Sequence, residues 1–469
     1  MSVSHDPCAL SLAEASALVR ERSLSPVRYV KALLERIAKV DPAINAFLRL
    51  TPEIALEQAR LAEAEIARGG WRGPLHGVPY ALKDIVDYAG LPTTAHSAIL
   101  RDSVAQGDAE VTRRLREAGA VFMGKLSTHE FAIGGPCFDL PWPPARNPWN
   151  RDHFCGGSSS GSGAAVAAGL VPMAIGTDTG GSIRNPATMC GVVGLKPTYG
   201  RVSRRGVLPL AWSLDHVGPL TRTVRDAAMS LDAIAGWDPR DPGSADRAAA
   251  PAASQLGRGV RGLRVGVLRH FYREDMAADD EVSASIEQAV ELLAAEGARI
   301  CEVRTEPLQR YAAVNRVILT SEAWSVHARW LRERPQDYGA LTRERLMPGA
   351  FFSAGEYIDA LRMRTKMAAA FNALFEEVDV VVTASAHDPA CRIDDPAEVE
   401  RTYGRQARAP FNLTGNPALA MPTGFSKAGL PLGLQVVGRA FDEATVCRVG
   451  DALESALALP RRLADPVAS

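Results

Sequence analysis

The sequence lacks the features that mark secreted, metal-stabilised and membrane-spanning proteins. Its seven cysteines are odd in number, scattered along 469 residues and without a C-x-x-C pair, so we expect neither a disulfide framework nor a zinc site. The N-terminus begins without a basic patch or an apolar core, and no run of about 18 apolar residues occurs anywhere. The expectation is a cytoplasmic protein without a bound metal and without a membrane span.

An excess of charge of either sign is also absent. The chain has 53 Lys and Arg against 54 Asp and Glu, a formal net charge of −1 and a pI near 6.8. No global basic field attracts nucleic acid or an acidic membrane surface, and we expect neither as a partner. With 46% hydrophobic and 23% charged residues, the chain can bury a large core. We interpret it as one large domain, and the composition leaves a homodimer open.

Hydrophobic periodicity predicts an α/β fold. Ser25-Pro26 and Thr51-Pro52 have the residues that open helices, and the first of these helices places its apolar residues on one face. An apolar run at 78–82, a helical pattern at 108–118 and a second apolar run at 121–123 follow. This alternation predicts a mixed, largely parallel central sheet covered by helices on both faces.

Two serine-bearing glycine turns are the most informative feature of the chain. They are Gly156-Gly157-Ser158 and Gly180-Gly181-Ser182, and a run of small residues separates them. Because glycine has no Cβ, the backbone at such turns can approach other groups closely, and main-chain N–H groups can face a reacting oxygen. The second turn therefore predicts a nucleophilic serine, Ser182, with its own oxyanion donors.

Other interpretations of the glycine-rich stretch fit less well. Residues 156–163 are all Gly or Ser and resemble a linker, but they lead directly into the helical run 164–168. A nucleophile elbow centred on Ser159 needs an apolar strand upstream, where residues 150–153 are polar. A P-loop would need Gly-Lys-Ser/Thr after the glycines, and a dinucleotide-binding loop would need glycine at Val166.

A neutral serine needs a base, and the histidines do not supply an obvious one. They are dispersed, and the sequence places none of them beside Ser182: His76, His96, His129, His153, His216 and His387. Lys83 follows the apolar run 78–82, so we predict that it projects from a strand end, where active sites of open α/β sheets gather. From the residues alone, a solvated strand-end lysine is the more ordinary interpretation.

The stretch 156–187 resembles the signature of the amidase signature family. Further segments are similar to the same family, so the resemblance covers nearly the whole chain: 77–84, 190–198, 411–418 and 429–435. It implies the amidase signature fold and hydrolysis of a carboxamide or arylamide to an acid plus ammonia or an amine. It implies no cofactor, and the partner it implies is a small-molecule amide substrate.

The resemblance also implies a Ser-Ser-Lys triad and a serine acyl-enzyme. In it Ser182 is the nucleophile, Ser158 relays the proton and Lys83 is the base, with a cis peptide bond before Ser158. Lysine has an ordinary pKa of about 10.4, so burial and hydrogen bonding must lower the pKa of Lys83 for it to act as a neutral base.

The backbone around the nucleophile completes the predicted site. We predict that the oxyanion hole is formed by the N–H groups of Thr179, Gly180, Gly181 and Ser182. We interpret Asp178 and Arg184 as a buried ion pair that holds the turn in one shape. Ser159, Ser160 and Thr177 are predicted to support the catalytic groups from behind.

Substrate recognition is where the sequence says least. An aromatic, proline-rich loop carries Phe138, Trp142 and Trp149, which either line an acyl pocket or pack on the surface. Residues 192–219 are similar both to stand-alone amidases and to the glutaminase (A) subunit of a tRNA-dependent amidotransferase. The loop 129–136 resembles stand-alone amidases more, so we favour that function, and the glutaminase role is the alternative.

The same resemblance sets the expected domain organisation. An N-terminal helical segment, 1–70, packs on an amidase signature domain at 71–460, and a short tail occupies 461–469. Within the domain, 236–262 has the composition of a linker, and 306–376 forms a variable helical region beside the substrate pocket. Both halves flanking 236–262 are expected to join one sheet.

Overall fold

The computed structural model describes residues 6–467, so the first five residues of the predicted segment 1–70 and the last two of the tail 461–469 lie outside the described residues. The helices are α1 (Leu12–Arg20), α2 (Pro26–Ile44), α3 (Pro52–Ala67), α4 (Glu110–Glu117), α5 (Ser160–Ala167), α6 (Arg184–Cys190), α7 (Val224–Ile234), α8 (His270–Arg273), α9 (Asp280–Ala295), α10 (Leu308–Glu333), α11 (Ala340–Leu346), α12 (Ala354–Ala373), α13 (Pro396–Gly404), α14 (Ala409–Leu413) and α15 (Glu443–Leu457). The strands are β1 (Phe47–Leu50), β2 (Pro79–Lys83), β3 (Val121–Leu126), β4 (Met173–Asp178), β5 (Val193–Lys196), β6 (His216–Thr221), β7 (Arg264–Val267), β8 (Arg299–Glu302), β9 (Val380–Ala384), β10 (Ala418–Phe425) and β11 (Pro431–Gly438).

All eleven strands of the described residues form one sheet, in the order β1-β3-β2-β4-β6-β5-β10-β11-β9-β7-β8. The predicted mixed α/β sheet is confirmed. Its parallel pairs fall in two groups, β3-β2-β4 and β9-β7-β8, and the other neighbouring strands are antiparallel. The strands before and after residues 236–262 join this one sheet, as expected. The two parallel groups are where βα units follow one another along the chain.

The N-terminal segment contributes a strand as well as helices. The helices predicted from Ser25-Pro26 and Thr51-Pro52 are α2 and α3. Between them β1 pairs antiparallel with β3 at the edge of the sheet, and the sequence reasoning missed it. The strand has only four residues and is mostly half-buried, so it lacks the clear alternation that marks longer strands.

The centre of the sheet holds the signature stretch. Strands β2 and β4 are buried at every position and lie side by side in parallel. Helix α5 contains only Gly, Ser, Ala and Val, and all of its residues are buried. A Cβ added at Gly161 would come 2.5 Å from the backbone nitrogen of Ser127, so small residues let this helix pack closely on the chain. The linker interpretation of 156–163 is therefore wrong.

No helix within residues 6–467 is both long and apolar enough to cross a bilayer. Residues 236–262 contain one short 3₁₀ helix, Ala252–Gln255, which packs against α7 and α15. The linker-like composition thus corresponds to a surface connection that lies on the body of the protein.

Candidate active site

Lys83 is the last residue of β2 and is completely buried. Its Nζ donates to Ser158 Oγ at 2.7 Å and to Thr177 Oγ1 at 2.8 Å. Thr177 is in β4, which is the parallel neighbour of β2, so the two strands bring their carboxyl ends to the same edge of the sheet. The interpretation of Lys83 as a solvated lysine at a strand end is therefore wrong, because its side chain is buried.

The first glycine turn presents Ser158 to the lysine. The peptide bond between Gly157 and Ser158 is cis, as the resemblance implies. The backbone oxygen of Ser158 accepts a hydrogen bond from the His129 N–H at 3.0 Å, and the ring of His129 lies where a Cβ on Gly157 would be. Glycine at 157 is thus required by the close approach of the histidine.

The second glycine turn follows β4 and carries Ser182. Its backbone oxygen accepts from the Ser159 N–H at 3.2 Å, so the two turns are joined directly. The Ser159 hydroxyl is bonded to both the N–H and the carbonyl of Thr177 at 3.2 Å. Within residues 6–467, no hydrogen bond joins Ser182 Oγ to Ser158 Oγ. Ser159 therefore supports the backbone that carries the other two serines, and it is not the group that meets the lysine.

The four predicted oxyanion donors do not all remain free. The N–H of Gly181 donates to Asp178 Oδ1 at 2.7 Å, so including Gly181 among the donors was wrong. Within the described chain, the N–H groups of Thr179, Gly180 and Ser182 bond to no other residue. The Gly181 N–H donates to the Asp178 carboxylate because a hydrogen bond to a charged acceptor is stronger than one to a neutral acceptor. The N–H groups of Thr179, Gly180 and Ser182 are thus free within the described residues, and their role as oxyanion donors stays a prediction.

Asp178 and Arg184 form the expected buried ion pair. The guanidinium bonds both carboxylate oxygens at 3.0 Å, and neither side chain is exposed. Burial by itself raises the pKa of Asp178, but Arg184 outweighs it and holds this pKa well below its ordinary range. The pair is extended by residues that the sequence reasoning did not assign, since Asn412 Nδ2 donates to Asp178 Oδ1 at 2.8 Å and Arg184 Nη1 donates to Gln435 Oε1 at 2.8 Å. Both lie in segments noted only for their family resemblance.

Burial sets the protonation of the lysine. Burial lowers the pKa of Lys83 to about 7, and the negative charges of Asp178 and Asp215 oppose this shift. Asp215 accepts from the Thr179 hydroxyl at 2.6 Å, so it also holds the start of the turn that carries Ser182. Burial raises the pKa of Asp215 itself to about 6. A large fraction of the lysine is therefore neutral at physiological pH.

The buried histidines near the site are neutral. Burial lowers the pKa of His129 and of His216 well below the ordinary value. His216 Nδ1 lies 2.6 Å from the Leu214 backbone oxygen, and His129 lies beside the cis peptide. Neither ring bonds to Ser182, which agrees with the prediction of a base other than histidine. Within residues 6–467, no cluster of three or more His, Cys, Asp or Glu side chains could hold a metal ion.

The three aromatic residues of the 134–150 loop are not placed together. Trp149 Nε1 donates to the Cys190 backbone oxygen at 2.8 Å, and its indole packs on Phe425. It lines a cavity of ≈ 350 Å³ that contains none of the triad residues, so its assignment to the substrate pocket is not supported by its position. Phe138 is 57% exposed, whereas Trp142 packs edge-on against His96. Substrate binding by Phe138 and Trp142 stays a prediction.

The sequence matches a known family over most of its length. The profile of the family described as Amidase matches residues 28–447. Among curated relatives, the (A) subunit of the Glutamyl-tRNA(Gln) amidotransferase of Moorella thermoacetica is 40% identical over 479 residues. That alignment covers 97% of this chain and 98% of the relative.

Solved structures resemble the whole fold. The peptide amidase from Stenotrophomonas maltophilia superposes with a TM-score of 0.85 at 32% identity, covering 97% of this chain and 98% of that enzyme. A bacterial aryl acylamidase of the amidase signature enzymes gives a TM-score of 0.87 at 26% identity, covering 95% and 96% of the two chains. The present chain therefore has the length and the fold of these enzymes.

Proposed function

Because the chain belongs to the amidase signature family and is an amide hydrolase, we propose that it cleaves a small carboxamide or arylamide through an acyl-enzyme on Ser182. The observation that carries this proposal is the buried hydrogen bond of 2.7 Å between Lys83 and Ser158. A buried lysine without a carboxylate partner costs folding free energy, and it is retained where its neutral form has a chemical use.

In the proposed mechanism the neutral amine of Lys83 starts the proton transfer. The nitrogen of Lys83 is in contact with both hydroxyls, those of Ser158 and Thr177, and it donates to both when it is charged. Once it has lost a proton, an N–H group still donates to Thr177, and its lone pair accepts from the Ser158 hydroxyl across the same contact. Ser158 passes its proton to Lys83 and takes the proton of Ser182 as the Ser182 oxygen attacks the amide carbon. Ser182 is held next to this relay, because its backbone oxygen accepts a hydrogen bond from the N–H of Ser159, the residue after Ser158.

The remaining steps use the same groups in reverse. The negative oxygen of the tetrahedral intermediate is stabilised by the N–H groups of Thr179, Gly180 and Ser182, each of which is worth on the order of 3 kcal/mol. The proton held on Lys83 returns through Ser158 to the nitrogen of the leaving amine as the C–N bond breaks. A water molecule then attacks the acyl-enzyme by the same relay and releases the acid.

The proposal predicts a definite pH profile. Because Lys83 must be neutral and its pKa is about 7, kcat/KM should rise with pH through this value and level off above it. Initial rates on one neutral amide, measured from about pH 5.5 to 9 at constant ionic strength, test this. A profile that falls over the same range would mean that the protonated lysine is the active form.

A matched variant tests whether Lys83 controls the ascending limb of the pH profile, which is the rise of kcat/KM with pH. The negative charge of Asp215 raises the pKa of Lys83, so Asp215→Asn should shift the limb to lower pH. If the limb does not move, or moves to higher pH, another group controls it. The thermal unfolding midpoint of the variant is recorded beside the kinetics, since Asp215 also accepts hydrogen bonds from the Leu210 and Ala211 N–H groups.

The curated relatives support a second candidate function. The matched protein from Moorella thermoacetica aligns along nearly its full length, so a role as the glutaminase subunit of a tRNA-dependent amidotransferase is the alternative. We favour the stand-alone amidase because the loop 129–136 resembles that group. Such an enzyme acts in the cytoplasm on a small-molecule amide, and a homodimer is compatible with this function.

The two functions give different results with the purified chain alone. Ammonia and amine release are measured with glutamine and with a panel of aryl and alkyl amides. We expect hydrolysis of at least one panel amide with a kcat/KM at least about tenfold above that for glutamine, a difference of about 1.4 kcal/mol in transition-state stabilisation. Glutamine as the best substrate, or activity that appears only with added partner proteins, would favour the amidotransferase role.

A further inference from the structure

The loop 129–134 lies against the serine that relays the proton in the proposed mechanism. The N–H of His129 donates to the Ser158 backbone oxygen at 3.0 Å, and the imidazole ring of His129 lies where a Cβ on Gly157 would be. The hydroxyl of Ser158 is in turn 2.7 Å from Lys83 Nζ. The position of this loop therefore helps to set the distance between the relay serine and the lysine.

The loop has a backbone conformation that its residues do not favour. Phe131 and Ala132 are consecutive non-glycine residues with φ angles of 50° and 61°. A Cβ crowds the backbone in this left-handed region, so such residues keep this conformation only where the surrounding structure holds them in it. Strained backbone of this kind is concentrated at active sites. The loop therefore needs contacts from other parts of the chain.

Glu130 supplies such contacts at the end of the loop next to His129. Its side chain is completely buried, and its two carboxyl oxygens accept hydrogen bonds from the Ser97 hydroxyl at 2.5 Å and from the Gly339 N–H at 3.0 Å. Within residues 6–467, no lysine or arginine forms a salt bridge with it. A buried carboxyl group without a counter-charge is less favourable for folding than an apolar side chain of the same size. Stability alone therefore does not account for Glu130.

Helices α10 and α11 hold the other end of the loop. The ring of Phe131 packs edge-on against His327 of α10, with ring centroids 4.5 Å apart. Arg345 of α11 donates through Nη1 to the Ile133 backbone oxygen at 3.2 Å. These contacts leave the position of His129 to the bonds that the neighbouring Glu130 makes.

We propose that Glu130 is a positioning residue for the proton relay, which through His129 holds Ser158 at hydrogen-bonding distance from Lys83. Its own side chain bonds to neither Ser158 nor Lys83, so it acts through the loop. Without its two hydrogen bonds the strained backbone relaxes, His129 moves, and Ser158 is less often beside the lysine. This inference rests on the proposed function, because it assigns Glu130 a part in the relay that serves Ser182.

The test compares an anilide with the para-nitrophenyl ester of the same acid. The relay must protonate an amine as it leaves, whereas para-nitrophenolate leaves without a proton, so a poorly held relay serine slows amide cleavage more than ester cleavage. For Glu130→Met, we expect kcat/KM to fall by about 100-fold for the anilide and by no more than about tenfold for the ester. A variant that is only partly folded would lower both rates in the same proportion.

Three further variants show whether the effect belongs to the hydrogen bonds of Glu130. Glu130→Gln keeps an oxygen for the Gly339 N–H and should lose less than Glu130→Met. Asp139 is the control, because its exposed carboxylate accepts from the Ala340 N–H at 2.8 Å and so joins the same part of the chain. Asp139→Ala should leave the ratio of amide to ester rates unchanged. If Glu130→Met does not fold, Ser97→Ala removes only one of the two bonds and should lower the ratio by a smaller factor.

Ser158→Ala separates a failure of this inference from a failure of the proposed function. If Ser158 is the relay, Ser158→Ala lowers the ratio of amide to ester rates, and adding Glu130→Met lowers it no further, because both act on the same step. An unchanged ratio in Glu130→Met, or in Ser97→Ala should the first variant not fold, overturns the inference. A further fall of the ratio in the double variant overturns it too. If Ser158→Ala also leaves the ratio unchanged, the relay of the proposed function is wrong as well.

Discussion

Ser182→Ala is expected to abolish amide hydrolysis, with kcat reduced by about 10⁴- to 10⁶-fold, as when the nucleophile of other serine hydrolases is removed. The hydroxyl is the atom that forms the acyl-enzyme, and no other serine of the signature takes its place beside the free N–H groups of Thr179 and Gly180. Steady-state hydrolysis of the best amide of the panel, with active-site titration by a fluorophosphonate, measures this loss. Mass spectrometry then locates the adduct.

A second serine of the same stretch provides the matched control. Ser162 is a buried residue of α5 whose hydroxyl donates to the Ile175 backbone oxygen at 3.3 Å, and it makes no hydrogen bond to the lysine. Ser162→Ala removes an equivalent hydroxyl and should retain most of the activity. An adduct on Ser159, or full activity in Ser182→Ala, would refute the assignment of the nucleophile.

Lys83→Met is expected to lower kcat by about 10²- to 10⁴-fold, the range that a general base contributes. Methionine fills nearly the same volume but has no lone pair on nitrogen to take the Ser158 proton. The ascending limb of the pH profile should disappear with the lysine. Residual activity that still rises with pH through about 7 would show that a different group is the base.

The same variant makes a separate prediction about stability. The pKa of Lys83 is about 7 in the folded protein and about 10.5 when unfolded, so the unfolded chain binds more protons between these two values, and stability rises with pH across that window. Keeping Lys83 neutral therefore costs about 4 kcal/mol of folding free energy at pH 7. Lys83→Met should lose most of its activity yet melt no lower than the wild type at pH 7. A large drop in the melting temperature would mean that Lys83 has a structural role.

Much of the chemistry was predictable because it depends on local sequence. The two glycine turns require small residues in a fixed order, and the apolar run before Lys83 indicates a strand that ends at that residue. The ion pair of Asp178 and Arg184 was predictable for the same reason, since six positions and one turn separate the two residues. These are short-range features, in which residue type and spacing fix the geometry.

Other parts of the site depend on contacts that periodicity does not encode. Lys83 is 75 positions from Ser158, and Asn412 is 234 positions from Asp178. Both contacts follow from the order of strands in the sheet, in which β10 lies next to β5 and β2 next to β4. Closeness in sequence does not place a residue at the site either. Trp149 is close in sequence to the signature, but it packs in a different part of the fold.

The sequence by itself determined the family and the α/β fold, because these depend on motifs and periodicity that are local in the chain, and the resemblance to that family identified the three proposed catalytic side chains. Tertiary structure alone decided which of the polar groups at the site have a hydrogen-bond partner or a counter-charge, and how deeply each is buried. It gave the Gly181 N–H to Asp178, buried Lys83 enough to bring its pKa to about 7, and left the carboxyl group of Glu130 with hydrogen bonds from Ser97 and Gly339 but without a counter-charge among the described residues. The physical reason is that hydrogen-bond partners and desolvation are set by everything packed around a group, and most of those neighbours come from distant parts of the chain.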